Sequence, residues 1–235
     1  NTVEFGPLSF RDVVTRPELH GRQMVFDRCQ AKAYGGTITG WLAIDLPKTD
    51  PEGRPSQATI YRAHFDLVKA DLATLLRQIG GNAEGLSGTL NGWVEFSLPA
   101  DHPEQMAGHG ELVVSDGSFV QLPVLANLLV GDPGASKGQD RLDLRFDLGE
   151  GKITLIFALI DSPAARIAIT GHIGFDGELR LSLEPLFTNK LANAITGGFA
   201  TILLNPLTRR AARFAVRGQI TNPVLVSNPF GKANE

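Results

Sequence analysis

Four side chains that can bind metal or move protons fall within ten residues: His102, Glu104, His109 and Glu111 in HPEQMAGHGE. Imidazole and carboxylate are zinc-ligand types. Here, however, Pro103 sits inside the first of two short His-x-Glu pairs, a Gly-containing turn separates the pairs, and no third ligand follows at a zinc-like spacing. The expected reading is of loop histidines. A second stretch, Gly134-Ala135-Ser136-Lys137-Gly138, matches G-x-S-x-G. A nucleophile elbow holds its serine on a strand-to-helix turn, whereas this serine falls in a polar loop that leads into a strand. GHGELV, at 108–113, lacks the third glycine and the strand-to-helix setting of a dinucleotide-binding loop. His20, His64 and His172 stand alone, and Asp116-Gly117 and Asp176-Gly177 are turn pairs. No catalytic residue, metal ligand or cofactor is assigned, and an enzyme is not expected.

The elements around these residues are strands. In RLDLRFDLGEGKITLIFALI, at 141–160, Leu142, Leu144, Phe146 and Leu148 alternate with Asp143, Arg145 and Asp147. Period-2 alternation puts the two sets on opposite faces of a pleated strand. Gly149 to Gly151 then turns the chain, and Ile153, Leu155, Phe157 and Leu159 are expected to return on the apolar face. ARIAITGHIGFDGELRLSL repeats the design with Ile167, Ile169, Ile173 and Phe175, a turn at Asp176-Gly177, and Leu179, Leu181 and Leu183. Further strands are expected near 3–10, 23–34, 36–46, 58–67, 88–98, 108–120 and 213–221, with residues 222–235 as a tail. Short turns between long strands predict an antiparallel meander.

Helices are few. Asp71 is placed to cap LATLLRQIGG, Pro123 suits the first turn of VLANLLVG, and Thr188 precedes NKLANAITGGFATILL, which Gly197-Gly198 interrupts. The third falls within a helical lid or cap expected over 186–206. A core helix is the alternative, and both are favoured over a membrane-surface element because the polar face has only Lys190 as a basic residue.

One strand is written twice. GTITGWLAIDLP at 36–47 and GTLNGWVEFSLP at 88–99 share Gly, Thr, Gly, Trp, Leu and Pro, and a fainter echo of the interior glycine returns at Gly171 and Gly218. A glycine inside a strand marks a bulge, a bend or a close approach by another group. Four strands bending at one place suggest a single curved sheet.

Composition narrows the function classes. At 43% apolar residues and a net charge of −3, the chain has enough side chains for a large core and too little positive charge to suggest nucleic acid as a partner. No run of about 18 apolar residues is present. The first residues carry neither a basic nor a long apolar leader segment, so any targeting segment is expected in a longer parent protein. A lone cysteine, Cys29, excludes an internal disulfide framework. Thirteen of the seventeen aromatic residues are Phe, which suits apolar linings.

The ordered series AYGGTITGWLAIDL, DLATLLRQIGG, GTLNGWVEFSLP, GHGELVVSDGSFVQLPVLANLL, LDLRFDLGEGKITL, RIAITGHIGFDGELRLSL and FAVRGQITNPVLV resembles the C-terminal region of AsmA-like proteins, the group that includes TamB. It covers roughly residues 30–226. The charged loop at 47–56 departs from the pattern. The resemblance implies a mainly β protein with a few short helices, a long twisted antiparallel meander curled into a taco-like β-groove over the whole of residues 1–235. It also implies a periplasmic segment of an inner-membrane-anchored envelope protein that carries phospholipid, or another acyl-chain lipid, toward the outer membrane. Membrane contact would run through parts outside this sequence, and other envelope proteins are expected as partners. The groove lining expected on this basis is Ile38, Leu42, Ile44, Leu90, Val94, Phe96, Leu144, Phe146, Leu155, Phe157, Ile167, Ile169, Ile173 and Leu181.

The residues alone leave a second reading open. An alternating apolar face also forms the filled inside of a sandwich or lies under a helix. In that case the chain is a structural or protein-interaction module with no ligand. Arg209, Arg210, Arg213 and Arg217 form a basic group that suits either a solvated face or anionic head groups.

Overall fold

The structure is a computed structural model that describes residues 2–5, 8–48, 52, 58–78, 83, 85–118, 138–163, 166–186 and 214–227. Every strand among them belongs to one antiparallel sheet, and the sheet is not closed. In chain order the strands are β1 (Thr2–Phe5), β2 (Leu8–His20), β3 (Gln23–Ala33), β4 (Gly36–Asp45), β5 (Ile60–Asp71), β6 (Thr89–Pro99) and β7 (Ala107–Gly117). There follow β8 (Asp140–Gly149), β9 (Lys152–Asp161), β10 (Arg166–Gly174), β11 (Glu178–Leu186), β12 (Phe214–Gln219) and β13 (Asn222–Ser227). Spatial order equals chain order throughout. At about 4.8 Å per strand, thirteen strands extend about 58 Å across the sheet.

The meander is therefore as expected, with two differences at its ends. Residues 3–10 were expected to form one strand. Thr2–Phe5 and Leu8–His20 are instead two strands, paired antiparallel from Phe5↔Leu8 to Thr2↔Arg11. Residues 222–227, expected within the tail, form β13 and pair with β12 from Gln219↔Asn222 to Phe214↔Ser227.

Residues directly opposed across an antiparallel ladder share a face. Traced from strand to strand, Ile38, Leu67, Gly92, Leu112 and Leu144 lie on one face, and Thr39, Asp66, Trp93, Glu111 and Arg145 lie on the other. We call these the apolar face and the polar face. Four strands keep this division only by inserting an extra residue. The inward phase advances by three instead of two from Phe26 to Cys29, Leu67 to Ala70, Val114 to Gly117 and Leu155 to Ala158. Bulges of this kind bend a strand and raise its twist. Arg28, Lys69 and Asp116 sit in the first three with φ of 52°, 55° and 54°. The Lys69 amide, displaced from the ladder, donates to Asn91 Oδ1 at 2.9 Å.

The repeated strand is now explained. Its copies are β4 and β6, which flank β5 and run in the same direction. Gly40 opposes Phe65 and Gly92 opposes Leu67, so the second copy is staggered by two residues and its faces are unchanged. Close approach accounts for both glycines: a Cβ on Gly40 would stand 1.9 Å from the His64 carbonyl oxygen, and one on Gly92 would stand 2.2 Å from that of Glu111.

The described helix is α1 (Leu72–Gln78), and it starts where Asp71 predicts. The Thr74 amide donates to Asp71 Oδ1 at 2.7 Å, an N-cap bond, and the Asp71 amide donates to the Tyr34 carbonyl at 2.7 Å. The expected helices after Pro123 and Thr188, the lid at 186–206 beyond Leu186, and Ser136 lie outside the described residues.

Much of the core lies at the end of the sheet beside α1. There Ala33, Tyr34, Ala70, Leu90, Val114, Ile160, Ile167 and Leu183 are buried. Burial shifts the Tyr34 phenol above its ordinary pKa. Nearer the hairpin turns, Ala63, Phe146 and Leu179 on the same face are buried, while their neighbours Val94, Phe96, Leu155 and Ile173 are only half-buried.

Candidate functional site

The apolar face is the feature that thirteen of the fourteen expected lining residues share. Ile38, Leu42 and Ile44 occupy it on β4, and Leu90, Val94 and Phe96 on β6. Leu144 and Phe146 follow on β8, Leu155 on β9, Ile167, Ile169 and Ile173 on β10, and Leu181 on β11. Neighbouring pairs such as Leu42↔Ala63 and Ala63↔Phe96 join them strand to strand.

Phe157 is the exception, and its placement corrects the expected alternation. Arg145 opposes Phe157 and Phe146 opposes Leu155, so Ile156 is the extra residue of a bulge. Past that point Ala158 and Ile160 point inward, while Phe157, 43% exposed, lies on the polar face with Leu159. The Arg145 guanidinium lies 5.5 Å from the Phe157 ring centroid.

Other members of the apolar face were not singled out from sequence. Tyr61, Ala63, Phe65 and Leu67 on β5 alternate with Arg62, His64 and Asp66, a signal as clean as that of β8. Met24 and Phe26 on β3, Phe214 and Val216 on β12 and Leu225 on β13 extend the face toward both edges. From β3 to β13 the described residues bring one Asp, Glu, Lys or Arg to it: Asp140, at the core-packed end.

Of the opening His/Glu motif, His109 and Glu111 lie on the polar face of β7, and His102 and Glu104 lie in the turn that precedes it. His102 Nδ1 lies 3.0 Å from Glu104 Oε1 beside the 3-10 turn Pro103–Gln105. A backbone hydrogen bond, followed by the one to His102, holds the Glu104 carboxyl below its usual range. His109 packs edge-on against Trp93 at 5.3 Å, and Glu111 pairs with Arg145 at 3.3 Å. Among the described residues no three His, Cys, Asp or Glu side chains form a metal-binding group. Along β8, Arg141 grips Asp143 through two bonds of 2.9 and 2.7 Å, which lowers the Asp143 pKa.

A face of this kind offers contact without direction. Aliphatic and phenyl groups gain about 25 cal/mol per Å² removed from water whatever the orientation of the partner. Such a surface suits hydrocarbon. No family model matches the chain, and no curated protein or solved structure matches it.

Proposed function

We propose that the chain is a lipid-binding and lipid-conducting segment of an AsmA-like envelope protein, with the sheet curled into a trough and the apolar face inside. One observation carries this reading: the apolar face runs from β3 to β13 with Asp140 as its single Asp, Glu, Lys or Arg among the described residues. Acyl chains lie along the hairpin half, where Val94, Phe96, Leu155 and Ile173 are half-buried and leave surface to cover. Head groups remain at the rim. The role is non-catalytic: phospholipid or another acyl-chain lipid is cargo moving between the inner and outer membranes. The parent protein is periplasmic and anchored in the inner membrane through parts outside this sequence, and other envelope proteins receive or supply the lipid.

The second reading is a structural or protein-interaction module. Its support is the core-packed half, where Val114 is 1% exposed and Ile167 fully buried, so that side chains of the protein already fill the face. Native mass spectrometry of the purified chain, with extraction and identification of bound lipid, separates the two. One or more phospholipids per chain are expected. A clean apo mass, unchanged after incubation with phospholipid vesicles, would establish the filled module instead.

A further inference from the structure

Both tryptophans of the chain, Trp41 and Trp93, lie on the polar face, where rings form a row across β4 to β7. Trp41 opposes His64, the His64 and Trp93 rings stack at 5.7 Å, and Trp93 meets His109 edge-on at 5.3 Å. Carboxylates are interleaved with the rings. Asp66 opposes Trp93 and Trp93 opposes Glu111, while Glu95 lies between His64 and His109 and Asp147 opposes His109. One guanidinium, Arg145, answers this group, and it is paired with Glu111. Among the described residues Asp66 and Glu95 meet only the His64 imidazole, at 3.6 and 3.4 Å, and Asp147 makes no ion pair. Among the described residues, four carboxylates of the patch, Asp66, Glu95, Glu111 and Asp147, thus face one guanidinium. Its margin is apolar and open: Trp41 is 37% exposed, and on the far side Ile156 is 59% exposed beside Phe157.

We propose that this ring row is a docking surface for an arginine-bearing extended peptide segment of a partner protein. Charge complementarity selects the occupant. A guanidinium is planar, stacks on indole and imidazole faces, and pairs with carboxylates through a fork of N–H donors. The spacing agrees: the carboxylates are spread over β5 to β8, about 14 Å at 4.8 Å per strand, and side chains at i, i+2 and i+4 of an extended peptide span about the same length. Ring-to-ring packing alone would explain the row as cross-strand stabilisation, but it does not call for unmatched carboxylates around it. The surface is on the opposite side of the sheet from the proposed lipid face, so it stands or falls separately from the lipid reading.

Because Trp41 and Trp93 are the only tryptophans, indole fluorescence reports on this patch alone. The probe is acetyl-Arg-Ala-Arg-Ala-Arg-amide, with the citrulline peptide as a neutral partner of the same shape, titrated into the intact chain. A saturable fluorescence change with the arginine peptide is expected, at least about tenfold weaker for the citrulline peptide and weakened by added salt. Glu95→Gln combined with Asp66→Asn is expected to lower affinity for the arginine peptide at least about fivefold. Equal affinity for the two peptides, or no saturable change at millimolar peptide, would overturn the proposal. The comparison of peptides uses the unaltered chain, so it decides the matter even where the double variant does not fold.

Discussion

Arg145 and Phe157 are directly opposed across β8 and β9, with the guanidinium 5.5 Å from the ring centroid, on the face away from Phe146. This relationship makes Phe157 a test of register. Phe157→Asp is expected to cost under about 1 kcal/mol, the scale of an exposed cation–π contact. Phe96→Asp and Ile169→Asp, which place a carboxylate on the apolar face, are expected to cost more than about 3 kcal/mol. Urea unfolding midpoints check the comparison. Asp at Thr154 or Ser182 should group with Phe157→Asp, and equal cost at Phe157 and Phe96 would refute the bulge.

Asp71 joins a strand end to a helix start, with its amide bonded to Tyr34 and its carboxylate to the Thr74 amide. Asp71→Ala is expected to lower stability by about 1 kcal/mol through loss of the cap, and Asp71→Asn to recover most of it. Thermal melts followed by circular dichroism give the order. Identical melting of the two variants would mean that the cap contributes nothing.

Gly171 has φ of +121°, and a Cβ there would lie 2.1 Å from the Arg180 carbonyl oxygen. Gly149→Ala meets open space. Alanine at 171 is thus expected to cost at least about 2 kcal/mol, and at 149 less than about 0.5 kcal/mol. Denaturant titration of the two single variants measures the difference.

Asp143 is held below the ordinary aspartate pKa mainly by the hydrogen bonds from Arg141. A depressed folded-state pKa favours the charged form. The contribution to stability is complete above the unfolded-state value and is lost as pH falls through the folded one. Arg141→Gln should return the Asp143 titration toward its ordinary range and flatten the acid limb of stability against pH. NMR titration of the side-chain carboxyl tests this directly, and an unmoved midpoint in Arg141→Gln would reject the assigned cause.

Most of the sheet was legible because β4, β5, β6 and β8 alternate apolar with polar residues, which marks phase at every position. Phase was lost where that contrast disappears. Leu155 to Ile160 reads LIFALI, six apolar residues in which nothing distinguishes inward from outward. A one-residue insertion there is silent in sequence, and Phe157 was misplaced for that reason. The ends fail differently: NPVLVS at 222–227 is short and carries a proline, so local propensity did not mark it, and pairing with β12 is what makes it a strand. The ring row on the polar face was hidden because His64, Trp93 and His109 are far apart in sequence and meet only across ladders.

Spatial order that follows chain order has a consequence for how the molecule comes apart. Among the described strands, each interior one is laddered only to its predecessor and its successor, so cooperativity is passed along a line. Opening should begin at β1 and β13, each hydrogen-bonded on one side, and proceed inward strand by strand. Amide exchange would then report position along the sheet, with the longest-lived protons in its middle.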